Sequence, residues 1–105
     1  FDYMHRQITT HPDLGLGGAS LRWLYLALHE MRDLAARPSP KTPALTFLGS
    51  KETIVDPARI RARMAAWHNG TLTEIDGGKH EMMLEIPAIR DRVYADTIAF
   101  FDAHP

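Results

Sequence analysis

Two short runs with strand character, separated by a helix that signals its own start, constrain this chain more than any other feature. Ala44-Leu45-Thr46-Phe47-Leu48 is closed between Pro43 and Gly49, which predicts a strand buried on both faces, as in a parallel sheet. Asp56 stands directly before Pro57, an N-cap followed by proline at the position where a helix tolerates it best. That helix is predicted to run to Trp67, with Ile60, Met64 and Trp67 as its buried stripe. Asn69-Gly70 closes it, and Thr71-Leu72-Thr73-Glu74-Ile75 reads as a second strand that stops at Asp76-Gly77-Gly78. Strand, crossover helix and strand in this order imply parallel pairing with a right-handed connection.

The flanks extend the pattern. Phe1 to Pro12 is a short mixed segment, and Leu14-Gly15-Leu16-Gly17-Gly18 carries too much glycine to continue a helix. Ser20 caps a predicted helix over 20–36, with Leu21, Leu24, Leu28, Met31 and Ala35 at helical spacing. Arg37 to Pro43 holds three prolines and reads as a linker. From Pro87 onward Ile89, Val93, Thr97, Phe100 and Phe101 are expected on one side of a long amphipathic helix. Two strands make a poor sheet by themselves, so further strands are expected before Phe1. The start at Phe1-Asp2-Tyr3, with no initiator Met and no leader, fits that expectation of a fragment.

Composition narrows the function classes. Hydrophobic residues make up 45% and charged residues 24% of 105, the profile of one globular unit. No apolar run nears the roughly 20 residues of a membrane span. With 12 Lys+Arg against 13 Asp+Glu there is no basic field for a phosphate backbone, so nucleic acid is not an expected partner. The chain has no cysteine, which removes disulfides and thiolate chemistry. The compartment is left open, the cytoplasm being favoured, and oligomeric state is not legible.

Ligands of open α/β sheets bind beyond the carboxyl ends of the strands. The two loops in that position are Gly49 to Val55, which holds Glu52, and Asp76 to Glu81, which holds His80. A carboxylate beside a histidine can orient the imidazole and stabilise its cation, so that the ring acts as a general base. Residue types and spacing alone leave the plainer reading open, a solvated loop acid and a loop histidine.

The run Pro43 to Asp56 resembles the acid-bearing strand and turn of the α/β-hydrolase fold. Gly77-Gly78-Lys79-His80-Glu81-Met82-Met83-Leu84-Glu85 resembles the histidine turn of its bacterial lysophospholipase and monoacylglycerol lipase branch. His11 to Ser20, followed by a tryptophan-containing helix, is similar to the segment that returns from the cap of such enzymes to their core. The resemblance implies that residues 1–43 are a cap-to-core segment and 44–105 the C-terminal part of an α/β-hydrolase core, parallel strands with crossover helices. It further implies a serine hydrolase of carboxylic esters, acting on lysophospholipids, monoacylglycerols or a related small ester, without a cofactor. Glu52 would be its triad acid and His80 its base. The nucleophile belongs in a Gly-x-Ser-x-Gly elbow, which this sequence lacks. Nucleophile and oxyanion hole are therefore expected upstream, and these residues by themselves are expected to be inert.

Asp56 rivals Glu52 as the acid, but the family spacing falls on Glu52 and Asp56 is the expected N-cap. A zinc helix starting at His80-Glu81 would need histidine at 84, where Leu84 stands. His5, His11, His29, His68 and His104 show no paired ligand spacing. Arg59, Arg61 and Arg63 alternate around a helix instead of forming one anion-binding face. Trp23, Tyr25 and Leu26 are expected to be core, with an acyl pocket as the alternative. Two other functions stay open: a noncatalytic binding or assembly domain, and a hydrolase with aspartate as nucleophile, of the epoxide hydrolase or dehalogenase type.

Overall fold

The computed structural model describes residues 2–105, and Phe1, where the mixed N-terminal segment begins, lies outside the described residues. The helices are α1 (Asp2–Thr10), α2 (Leu21–Ala36), α3 (Pro57–Ala65) and α4 (Pro87–Ala103), and the strands are β1 (Ala44–Gly49) and β2 (Gly70–Ile75). Short 3-10 turns occupy Pro12–Leu14 and Met82–Leu84. The chain divides into two compact units, Phe1–Arg37 and Pro38–Pro105.

In the first unit, α1 falls where the sequence suggests only a mixed segment. Its apolar residues are few, Tyr3, Met4 and Ile8, too short a pattern to mark a helix, and Thr9, a weak helix former, turns its hydroxyl onto the His5 carbonyl at 2.8 Å. Ser20 caps α2 as expected, its Oγ accepting the Trp23 N–H at 3.1 Å. The helix stops at Ala36 because Arg37 is extended (φ −81°, ψ 147°) ahead of Pro38. No residue of α2 is buried. Trp23, Tyr25 and Leu26 are 59%, 60% and 50% exposed, which corrects their assignment to a core. A unit of this length holds too little chain to enclose an apolar helix.

In the second unit β1 and β2 pair in parallel, with register Ala44↔Gly70 through Gly49↔Ile75. α3 connects them and packs on both, and α4 packs on β1. Each element sends one side chain into the core: Leu48, Ile75, Met64 and Val93. The expectation of a strand buried on both faces holds only for the end of β1, because residues 44–47 are half-buried. A two-stranded sheet gives those side chains too few neighbours.

Asp56 Oδ1 accepts the Ala58 N–H at 2.9 Å and so caps α3. The helix ends at Ala65, short of Trp67, whose indole N–H instead donates to the Thr42 carbonyl at 2.9 Å. Of the predicted stripe, Met64 is buried while Ile60 and Trp67 are half-buried. These three residues line an open hollow with Thr46, Arg59 and Arg63. On α4, Phe101 is 66% exposed, contrary to the stripe assigned to it. At 3.6 residues per turn it lies about 80° from Val93, whereas Phe100 lies within about 20°. No helix among the described residues is long and apolar enough to cross a membrane.

Candidate functional site

Because β1 and β2 run parallel and end together at Gly49 and Ile75, the loops that follow them leave the sheet side by side. Gly49 lies so close to the Gly78 carbonyl that an added Cβ would collide with it, and would also stand 2.8 Å from the Lys79 carbonyl oxygen. Gly77 adopts φ +74°, a left-handed conformation that L side chains rarely accept. The two backbones therefore touch at the base of the loops.

Beyond that contact the chain turns, the Glu52 N–H donating to the Gly49 carbonyl at 3.1 Å. The Glu52 side chain, 5% exposed, folds back on its own backbone. Its Oε1 accepts the N–H groups of Ile54 at 2.6 Å and Val55 at 3.2 Å. Its Oε2 lies 2.7 Å from Nδ1 of His80. Burial opposes the charge on Glu52. The bonds from Ile54, His80 and Val55, aided by attraction to the imidazole, outweigh that and hold its carboxyl below the usual 4.5. An ionised carboxylate is acceptor-only, so Nδ1 carries the proton and donates it, leaving Nε2 as the basic nitrogen of the neutral ring. The His80 side chain is 40% exposed, which leaves the ring open to an incoming group. On its own side the histidine loop is steadied by the Lys79 N–H, which donates to Glu85 Oε1 at 3.2 Å.

The two residues singled out in the sequence are thus brought together from loops 28 residues apart. Asp56 is held elsewhere, capping α3 and standing 3.6 Å from Arg59 Nε. The three arginines of α3 part company as their spacing suggests. Arg61 makes a two-pronged contact with Glu74, at 2.8 and 3.0 Å, and Arg63 donates to Ser39 Oγ at 3.2 Å. His29 and His104 donate from Nδ1 to carbonyls of their own helical segments. Among the described residues no cluster of His, Asp or Glu could hold a metal ion.

Sequence reasoning missed the cross-link beneath the pair. The Ser50 hydroxyl donates to Asp76 Oδ1 at 3.1 Å and accepts the Gly77 N–H at 2.8 Å. Its signal was a serine at a strand end and an Asp-Gly turn at the end of the neighbouring strand, which only the register brings face to face.

Over 92 residues the chain is similar to a probable lysophospholipase L2 from Haemophilus influenzae, at 30% identity. The match takes in 87% of this chain and 29% of that protein, so the chain spans under a third of the length of its relative. No family model and no solved structure matches the chain.

Proposed function

We propose that these residues supply the acid and base of a serine hydrolase acting on carboxylic esters, with lysophospholipids or monoacylglycerols as the substrate class. The observation that carries this reading is the 2.7 Å contact between Glu52 and His80 at the ends of adjacent parallel strands. His80 Nε2 takes the proton of the attacking serine as its oxygen adds to the ester carbonyl. The ring then returns that proton to the departing alcohol, and the acyl group stays on the serine until water, activated by the same nitrogen, releases it as the carboxylic acid. Glu52 keeps the ring in the tautomer with Nε2 free and stabilises the imidazolium.

The chain's three serines are Ser20, Ser39 and Ser50, and each has a structural partner: the Trp23 N–H, Arg63, and the Asp76–Gly77 turn. The nucleophile of the proposed reaction is accordingly a serine outside these residues. Apolar side chains follow both members of the pair. Ile54 and Val55 come directly after the Glu52 turn and Met83 and Leu84 after His80, all exposed, which suits an acyl substrate. Similarity to a probable lysophospholipase supports the same class.

The test is hydrolysis of short acyl esters by the intact protein. His80→Ala is expected to remove turnover by a factor on the order of 10⁴ to 10⁶ while leaving the circular dichroism unchanged. Glu52→Ala is expected to cost less, because the ring stays basic though badly oriented. Equal rates for wild type and a folded His80→Ala protein would sink the proposal, leaving a noncatalytic domain or an unrelated active site.

A further inference from the structure

The β1–β2 ladder stops at Gly49↔Ile75, and beyond it strand twist would carry the two chains apart. Instead the loops stay joined. The Ser50 N–H donates to the Ile75 carbonyl at 2.9 Å and the Lys51 N–H to the Gly78 carbonyl at 2.9 Å. Between these two backbone bonds the Ser50 side chain makes the cross-link, giving its proton to Asp76 Oδ1 at 3.1 Å and taking the Gly77 N–H at 2.8 Å. The hydroxyl uses its donor and an acceptor site at once, both toward the histidine loop. Its proton is already committed, so it is unsuited to the role of nucleophile.

From Ser50 the acid is two residues away, and from Gly77 the histidine is three. Lever arms this short pass on a shift of the loops almost undiminished. A bond of 2.7 Å between Glu52 and His80 is lost when its partners separate by roughly 1 Å. Glu52 is fixed to its own loop by Ile54 and Val55, and the histidine loop is braced by Glu85. Each half is tied within itself, and the separation between the halves is set by the two backbone bonds together with the Ser50 cross-link.

We propose that Ser50 is a positioning residue: with Asp76 it latches the two strand-end loops at the separation where the Glu52 carboxylate meets the His80 imidazole. The latch rests on reading that pair as hydrolase machinery, but its geometric content can be measured without turnover.

The experiment uses the intact protein as wild type, Ser50→Ala, Ser50→Thr, Asp76→Ala and His80→Ala. Two quantities are read: steady-state hydrolysis of a short acyl ester, and the downfield proton resonance of the His80 Nδ1–H. Ser50→Ala is expected to lower kcat about ten- to a hundredfold, the cost of a sub-ångström to 1 Å misplacement, with KM unchanged. The Nδ1–H resonance should weaken or move upfield. Ser50→Thr keeps the hydroxyl and should restore both readouts, and Asp76→Ala should reproduce part of the defect. A folded Ser50→Ala protein with wild-type kcat and resonance overturns the latch, as does a Thr variant as impaired as the Ala variant. If Ser50→Ala fails to fold, Asp76→Ala decides by the same two readouts. Should His80→Ala retain activity, the hydrolase reading falls while the resonance still judges the latch. Should it be inactive with Ser50→Ala unaltered, the latch alone falls.

Discussion

Glu52 satisfies two demands with one side chain. Its extra methylene, compared with aspartate, lets Oε1 reach back to the N–H groups of Ile54 and Val55 while Oε2 extends to His80. Those bonds lower its carboxyl pKa against the opposing effect of burial. A carboxyl with a depressed folded-state pKa contributes stability that is fully present above the unfolded value, 4.5, and is lost as pH falls through the folded value. The difference in melting temperature between wild type and Glu52→Gln is therefore expected to be constant near neutral pH. It should shrink steadily on acidification below 4.5, and a difference that grew instead would contradict the assigned bonds. Sequence alone could name Glu52 over Asp56, since Asp-Pro is a cap signal wherever it occurs. It could not show that Glu52 would be buried, because that depends on a turn closed by its own following residues.

At the scale of elements, the site depends on a strand end with no side chain. Gly49 occupies the last position of β1, where the Gly78 backbone leaves no room for a Cβ. Gly49→Ala must push one loop off the other, a backbone displacement expected to cost about 1–3 kcal/mol. The variant should show a lowered thermal midpoint together with loss of the Glu52–His80 contact, whereas Gly17→Ala, with open space around it, should leave both unchanged. Strand, helix and strand were all legible in the sequence because each has local punctuation: Pro43 and Gly49, Asp56-Pro57, and Asn69-Gly70. The end of α3 was not. Trp67 has the spacing to continue the helix, but its indole is drawn to the Thr42 carbonyl, a partner 25 residues away. α1 escaped notice for a different reason, its apolar residues Tyr3, Met4 and Ile8 spanning little more than one turn.

For the molecule as a whole, periodicity foretold which elements form but overstated what they bury. Leu48, Met64, Ile75 and Val93 are the buried hydrophobic residues among those described. Trp23, Tyr25 and Leu26, expected to be core, and Phe101, assigned to the apolar side of α4, are exposed. Spacing reports only that a face is apolar; whether the face is covered depends on how much chain stands opposite it. The pairing of Glu52 with His80 was legible because both loops follow strands predicted to be parallel neighbours. Ser50 was not, its importance arising from the register alone.

The chain's two tryptophans are divided between the two units, which makes each an optical label for its own surroundings. Trp67 is half-buried with its indole N–H engaged, while Trp23 stands 59% exposed. In the 105-residue chain, Trp23→Phe should leave a bluer emission that iodide quenches weakly, and Trp67→Phe a redder emission that iodide quenches strongly. Followed in increasing denaturant, the two single-tryptophan proteins would give separate melting curves for the helical unit and for the unit that carries Glu52 and His80.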